Sequence, residues 1–103
     1  MNKEDQYAEL ITRDAMMTLR EDRLREALQV NIEAMNDTQF KLQLLLSLDL
    51  TKQSHCYTNS EIERTEAFMA ELRTGRLQLK NDYDHACAQR LNIAEFLREL
   101  TSS

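Results

Sequence analysis

The chain contains no proline and only one glycine, Gly75, in 103 residues. Tight turns draw on those two residues, because proline presets φ and glycine supplies positive φ. A many-stranded sheet needs such a turn after every strand, so this chain lacks the material for one. Glycine-rich phosphate loops and nucleophile elbows are excluded for the same reason. The commonest residue is Leu, with 16 copies, and Val occurs once, at Val30. Leu, Gln, Glu, Arg, Met and Ala lose little side-chain freedom in a helix. The expected fold class is therefore all-α.

The strongest helix start is Thr58-Asn59-Ser60-Glu61-Ile62-Glu63. Thr58 with Glu61, and Ser60 with Glu63, have capping-box spacing, in which the hydroxyl and the carboxylate satisfy free backbone N–H groups reciprocally. A helix over about 60–101 follows, preceded by a connection over about 54–59. With Ile62 as position a, the a residues are Ile62, Met69, Arg76, Tyr83, Arg90 and Leu97. The d residues are Thr65, Leu72, Leu79, Ala86, Ile93 and Leu100. Nine of these twelve are apolar or aromatic, a seam of period 3.5 that stays facing one partner. Gly75 falls at g and costs about 1 kcal/mol relative to Ala in a helix interior. The register does not slip across it, so the helix is expected to continue.

The N-terminal half carries a second, more polar seam over a helix of about 4–53. Tyr7, Leu10, Met17, Leu24, Leu28, Met35, Leu42 and Leu45 fall on one seven-residue frame, shared with Asp14, Glu21, Asn31, Thr38 and Asp49. Glu9–Arg13, Glu21–Arg25 and Asp37–Lys41 are acid-before-base pairs four apart, each worth a few tenths of a kcal/mol to a helix. Asn36-Asp37-Thr38-Gln39 has capping spacing and marks a possible break near 36–38. Two antiparallel helices forming a long coiled-coil-like hairpin is the expected architecture, as a single domain over 1–103. A three-helix bundle with breaks near 36–38 and 55–60 is the alternative.

Phe40, Leu42, Leu44, Leu46, Leu48 and Leu50 alternate at period 2, a strand signature. Leu45 interrupts the polar set, no second alternating segment exists to pair with it, and Leu favours helix over strand. On a helix these side chains surround the axis, so this segment should be buried on most sides. Leu42-x2-Leu45-x2-Leu48-x-Leu50 resembles the leucine-rich nuclear export signal recognised by exportin, over nine residues. The resemblance implies an export function for leucines that the core also requires.

Folding the chain back near 55–56 sets Glu21 opposite Arg90 and Met35 opposite Arg76. Arginine in an apolar seam needs an acid or must carry its head past the edge. An ion pair is expected for Glu21–Arg90, and a snorkelling side chain for Arg76. Apolar residues also lie off both seams: Phe68, Leu77, Leu91 and Phe96 in the C-terminal half, and Met16, Leu19, Val30, Ile11 and Ile32 in the N-terminal half. One neighbouring helix covers one stripe, so a second stripe predicts a partner, either a second copy or other helical subunits.

The net charge of −5 is spread evenly, with 7 basic and 10 acidic side chains in 1–52 and 6 and 8 in 53–103. No basic segment exists to neutralise phosphates, so nucleic acid is not an expected partner. The longest strongly apolar run is Leu44-Leu45-Leu46, so no membrane span is expected. The start Met1-Asn2-Lys3-Glu4-Asp5 lacks a signal-peptide layout, and two cysteines 31 residues apart do not make a disulfide framework. A cytoplasmic protein is expected, with the nucleus as the alternative. His55-Cys56 and His85-Ala86-Cys87 lack zinc-ligand spacing, and on a long helix Cys87 lies about 40 Å from the turn holding Cys56. Asp82 and His85 make one acid-x-x-His element, where a di-iron bundle needs two and further carboxylates. No cofactor, metal or catalytic residue is expected. The expected function is non-enzymatic: an acidic helical-bundle interaction subunit or adaptor of a larger assembly. A small helical chaperone or inhibitor sequestering one partner is the alternative.

Overall fold

The computed structural model describes residues 2–50 and 55–102, with side chains for 2–48 and 58–102. Two helices account for the fold. Helix α1 spans Lys3–Leu50, 48 residues, and α2 spans His55–Thr101, 47 residues. They form an antiparallel hairpin, and there is no strand among the described residues. The alternating leucines of 40–48 are helical, as the preference of Leu requires. They are not buried on most sides, however, because one neighbouring helix covers a single stripe. Leu45 is buried and Leu42 half-buried, while Phe40, Leu44, Leu46 and Leu48 are exposed.

The possible break near 36–38 does not occur, and α2 continues through Gly75 as expected. Helix α1 runs through 36–38, with Asn36 and Asp37 pointing outward and Thr38 buried. The Thr38 hydroxyl donates to the Ala34 carbonyl at 2.6 Å, so its polar atom is satisfied within its own helix. The three-helix alternative is thereby replaced by two helices. The start of α2 also differs from expectation, at His55 rather than near 60. Thr58 is not a cap: it is 3% exposed and extends the d series one heptad toward the N-terminus of α2. The expected end of the first helix at about 53, and the side chains of Asp49, Leu50, His55 and Cys56, lie outside the described residues. At the far ends, the Asn2 side chain caps α1 by accepting from Asp5 N at 2.8 Å, and Ser102 N closes α2 on the Arg98 carbonyl at 3.0 Å.

The contacts fall into two compact units, Met1–Ala27 with Leu79–Ser103, and Leu28–Gln78. In the first unit Leu10, Met17 and Leu24 of α1 are half-buried beside Leu79, Tyr83, Leu97 and Leu100, with Ala86 and Ile93 buried. Tyr7, the outermost member of the α1 frame, is 44% exposed. In the second unit Leu28, Met35 and Leu42 are half-buried and Leu45 buried, against half-buried Ile62 and Leu72 and buried Met69. Ile32, expected on a second stripe, is half-buried beside this seam. Arg76 is exposed, and half-buried Gly75 takes the covered place next to it.

Polar residues occupy much of both seams. Asn31 and Thr65 of the second unit are 9% and 4% exposed. Thr65 donates to the Glu61 carbonyl at 2.6 Å. Asn31 Nδ2 donates to the Leu72 carbonyl on the opposite helix at 3.0 Å, and Asn31 Oδ1 makes no hydrogen bond within the protein. Gly75 sits at this crossing. A Cβ built on it would stand 3.7 Å from Asn31 Nδ2, ordinary van der Waals contact.

Two stability measurements follow from this packing. Gly75→Ala should stabilise the chain by about 0.5–1 kcal/mol, since it removes backbone entropy without a clash. Ile93→Ala should destabilise by about 2–5 kcal/mol, toward the lower end because the cavity opens near solvent. Denaturant melts read both, and a destabilising Gly75→Ala would mean that the helices approach more closely there than the Asn31 contact indicates.

Candidate functional site

The first unit holds the one charged group among the described residues that is buried in a seam. Glu21 lies on the seven-residue frame of α1 and is 5% exposed. A carboxylate survives there only if its lone pairs are met. Arg90 Nη1 donates to Glu21 Oε2 at 2.7 Å, and Arg90 Nε lies 3.5 Å from Asp14 Oδ1, one heptad earlier on α1. The Cys87 thiol lines the same groove as Glu21. Burial pushes the Glu21 carboxyl up, but the hydrogen bond from Arg90, the neighbouring Cys87 thiol, and the Arg90 and Arg25 charges outweigh it. The carboxyl therefore lies below its ordinary value of 4.5. One turn along, Arg25 Nη2 donates to the Tyr83 hydroxyl at 3.3 Å, and the guanidinium carbon stands 5.9 Å from the centre of that ring.

Cys87 is the thiol in this cluster. Burial, then the neighbouring Glu21 carboxylate with its charge and that of Asp84, raise it above its ordinary value, against the opposing influence of Tyr83. A thiolate is the reactive form. A thiol held protonated beside a carboxylate is a structural group. His85 projects from a different edge of α2 and is exposed. Among the described residues no three His, Cys, Asp or Glu side chains converge on a possible metal position. The constellation fixes the axial register of two helices, because sliding either by one turn strands Glu21 without its arginine.

The off-seam residues Met16, Leu19, Val30, Phe68, Leu77, Leu91 and Phe96 are all at least 49% exposed. They do not form one stripe. In the first unit Met16 and Phe96 lie on one edge, where Arg13 lines grooves with each of them. Leu91 lies on the opposite edge, in a groove with Asp14, Glu21, Cys87 and Ala94. In the second unit Phe68 lines a groove with Asp37, Lys41, Glu61 and Arg64. Lys41 Nζ is 3.5 Å from Glu61 Oε2 there. The leucine spacing that resembles an export signal is divided between the seam, which takes Leu42 and Leu45, and solvent, which takes Leu48. No described helix is long and apolar enough to cross a membrane. Sequence reasoning located Glu21 and Arg90 but missed Asp14 and Cys87. The signal for Asp14 was present, since it precedes Glu21 by one heptad on the same frame.

No protein-family model, curated protein or solved structure matches the chain.

The carboxyl of Glu21 is lowered in the folded state, so its contribution to stability is present above the ordinary carboxyl value of 4.5 and is lost as pH falls through the lower folded-state value. The melting temperature of the wild type should therefore drop on acidification below 4.5 by more than that of Glu21→Gln. At neutral pH Arg90→Gln should lower the melting temperature more than Arg76→Gln, because it leaves a buried carboxylate unpaired. Equal shifts for the two arginine variants in thermal melts would dispose of the buried pair.

Proposed function

We propose that this chain is a non-enzymatic helical interaction subunit or adaptor, working in the cytoplasm or nucleus as part of a larger helical assembly. One observation carries the reading. Among the described residues thirteen large apolar side chains are exposed, from Tyr7 to Phe96, while the buried apolar ones are Leu45, Met69, Ala86 and Ile93. A monomer rarely leaves so large a share of its apolar surface in water. The side chains stand on two long continuous helices, which suits packing against further helices rather than enclosing a small ligand. The clustered polar groups support the same reading. Glu21 with Arg90, and Asn31, fix register, and register is what an interaction surface must hold constant. The chain's acidity favours protein partners over nucleic acid.

The test is quantitative co-purification of the tagged chain at native abundance, with brief chemical cross-linking applied only after a chase with untagged chain. A subunit should emerge with a fixed stoichiometry, whether with itself or with another helical protein, and should not exchange during the chase. Exchange of a single client within minutes would point to a sequestering chaperone or inhibitor. A lone monomer with no stoichiometric companion would overturn the reading.

A further inference from the structure

In the first unit, one edge of the hairpin differs from the rest of the surface. On α1 its successive residues are Glu4, Ala8, Ile11, Ala15, Thr18 and then Asp22 with Arg25. On α2 they are Lys80 with Asp84, Cys87, Leu91, Ala94 and Arg98. Between those ends the row itself carries no charge on either helix, the paired Arg90 and Asp14 of the seam stand at its inner margin with 42% and 36% of their side chains exposed, and its apolar side chains are exposed: Leu91 at 70% and Ile11 at 45%. The groove bounded by Asp14, Cys87, Leu91 and Ala94 places the α2 residues on this edge, and the groove of Glu4, Tyr7 and Leu100 places Glu4 there. The rim has three acids (Glu4, Asp22, Asp84) and three bases (Arg25, Lys80, Arg98), so it is neutral in a chain of net charge −5.

We infer that this edge binds a second copy of the chain, through a two-fold axis that crosses the face at Ala15 and Leu91. The charges specify the axis. If two α1 helices lie antiparallel with Glu4 of one copy opposite Arg25 of the other, the centre of symmetry falls midway between those residues, beside Ala15. If two α2 helices lie antiparallel with Asp84 opposite Arg98, the centre falls midway between those residues, at Leu91. These two centres are set by independent pairs, and they lie at the same level of the hairpin. Arg90 and Asp14, their immediate neighbours, are 3.5 Å apart. One rotation therefore satisfies both pairs twice over. It also sets Ala15 against its own copy, where a small side chain allows close approach, and Leu91 against Leu91, where a large one fills the gap. Every helix then has antiparallel neighbours, as in an up-down four-helix bundle.

The area is adequate. From Glu4 to Arg25 the face runs about 30 Å at 1.5 Å per residue, and two helices side by side are about 20 Å wide. The dimer would bury roughly 600 Å² on each chain, about 1,200 Å² in all, the lower end of stable interfaces. It would also cover the Arg90 head, whose side chain is 42% exposed, and so dry the Glu21 ion pair. A hetero-partner carries no reason to match two charge pairs related by one symmetry operation, whereas a second copy does so automatically. The inference rests on the interaction reading above and deepens it.

The experiment is sedimentation equilibrium of the full chain and four variants, with helicity checked by circular dichroism. Wild type should be dimeric at micromolar concentration. Leu91→Arg, at an exposed position, should remain helical and weaken the dimer roughly thirtyfold or more. Phe96→Arg, on the opposite edge, should not. Asp84→Arg alone should weaken the dimer, and Asp84→Arg combined with Arg98→Asp should restore it. That rescue reports an intermolecular contact, because the two positions stand about 20 Å apart on their own helix. A monomeric wild type, a dimer indifferent to Leu91→Arg, equal loss with Phe96→Arg, or a charge swap without rescue would each overturn the inference. A monomer that still co-purifies in fixed ratio with another helical protein would overturn this dimer and leave the interaction reading standing.

Discussion

Two helices lying side by side can cover only one stripe on each, and the rest of this structure follows from that limit. Helices of 48 and 47 residues carry far more apolar surface than one mutual contact consumes. Most residues of the two seven-residue frames are buried or half-buried, Tyr7 and Arg76 being exposed, and a leucine a few positions away, such as Leu77 or Leu91, is mostly in water. Burial in such a pair is shallow: among the described residues no large side chain is fully enclosed. The usual source of folded stability, deep burial at about 25 cal/mol per Å², is therefore available only in part.

Polar groups take up seam positions that hydrophobic residues would fill more stably. Replacing a buried ion pair with packed apolar residues is often neutral or stabilising, so Glu21 and Arg90 are not explained by stability. Register explains them. A leucine seam of constant period tolerates slippage by a heptad, because every layer resembles the next. Glu21 accepts from Arg90 at one offset, and Asn31 reaches the Leu72 carbonyl at one offset. The two interactions lie in different units, so each unit carries its own alignment device. The buried threonines do no such work. Thr38 and Thr65 close their hydroxyls on their own helices and act as small, neutral fillers.

Much of this architecture was legible in the sequence, for definable reasons. Absence of proline and the heptad frame give helices and seams, because both depend on local geometry alone. The ion pair was legible because a charge interrupting each of two apolar frames leaves few ways to satisfy both. The start of α2 was not. A Ser/Thr-x-x-Glu signal is the same whether the threonine caps a helix or lines a seam, and only the opposite helix decides, by burying Thr58. Arg76 and Gly75 illustrate the same limit. The heptad places Arg76 inward, but Asn31 reaching across to the Leu72 carbonyl brings the helices together at Gly75, and the covered position moves by one residue. Cys87 was invisible as a neighbour of Glu21, because a thiol flanking a seam has no sequence signature for what lies beside it.

A shallow seam with polar layers makes folding and association parts of one equilibrium. Anything that binds the folded hairpin and not the unfolded chain adds RT ln(1 + [L]/Kd) to its stability, so occupancy of an exposed face compensates for what the seam gives up. The Glu21 pair shows how the two levels connect. In the hairpin alone Arg90 keeps 42% of its side chain in water, which screens its attraction to the carboxylate. Covering that edge removes the water from both charges at once. They are already paired, so desolvation strengthens their attraction, and Asp14 meets the remaining arginine N–H. The interaction that fixes register within one hairpin thus gains strength from whatever packs against the hairpin, and a misregistered hairpin would bring an unpaired Glu21 to that interface and be rejected by it.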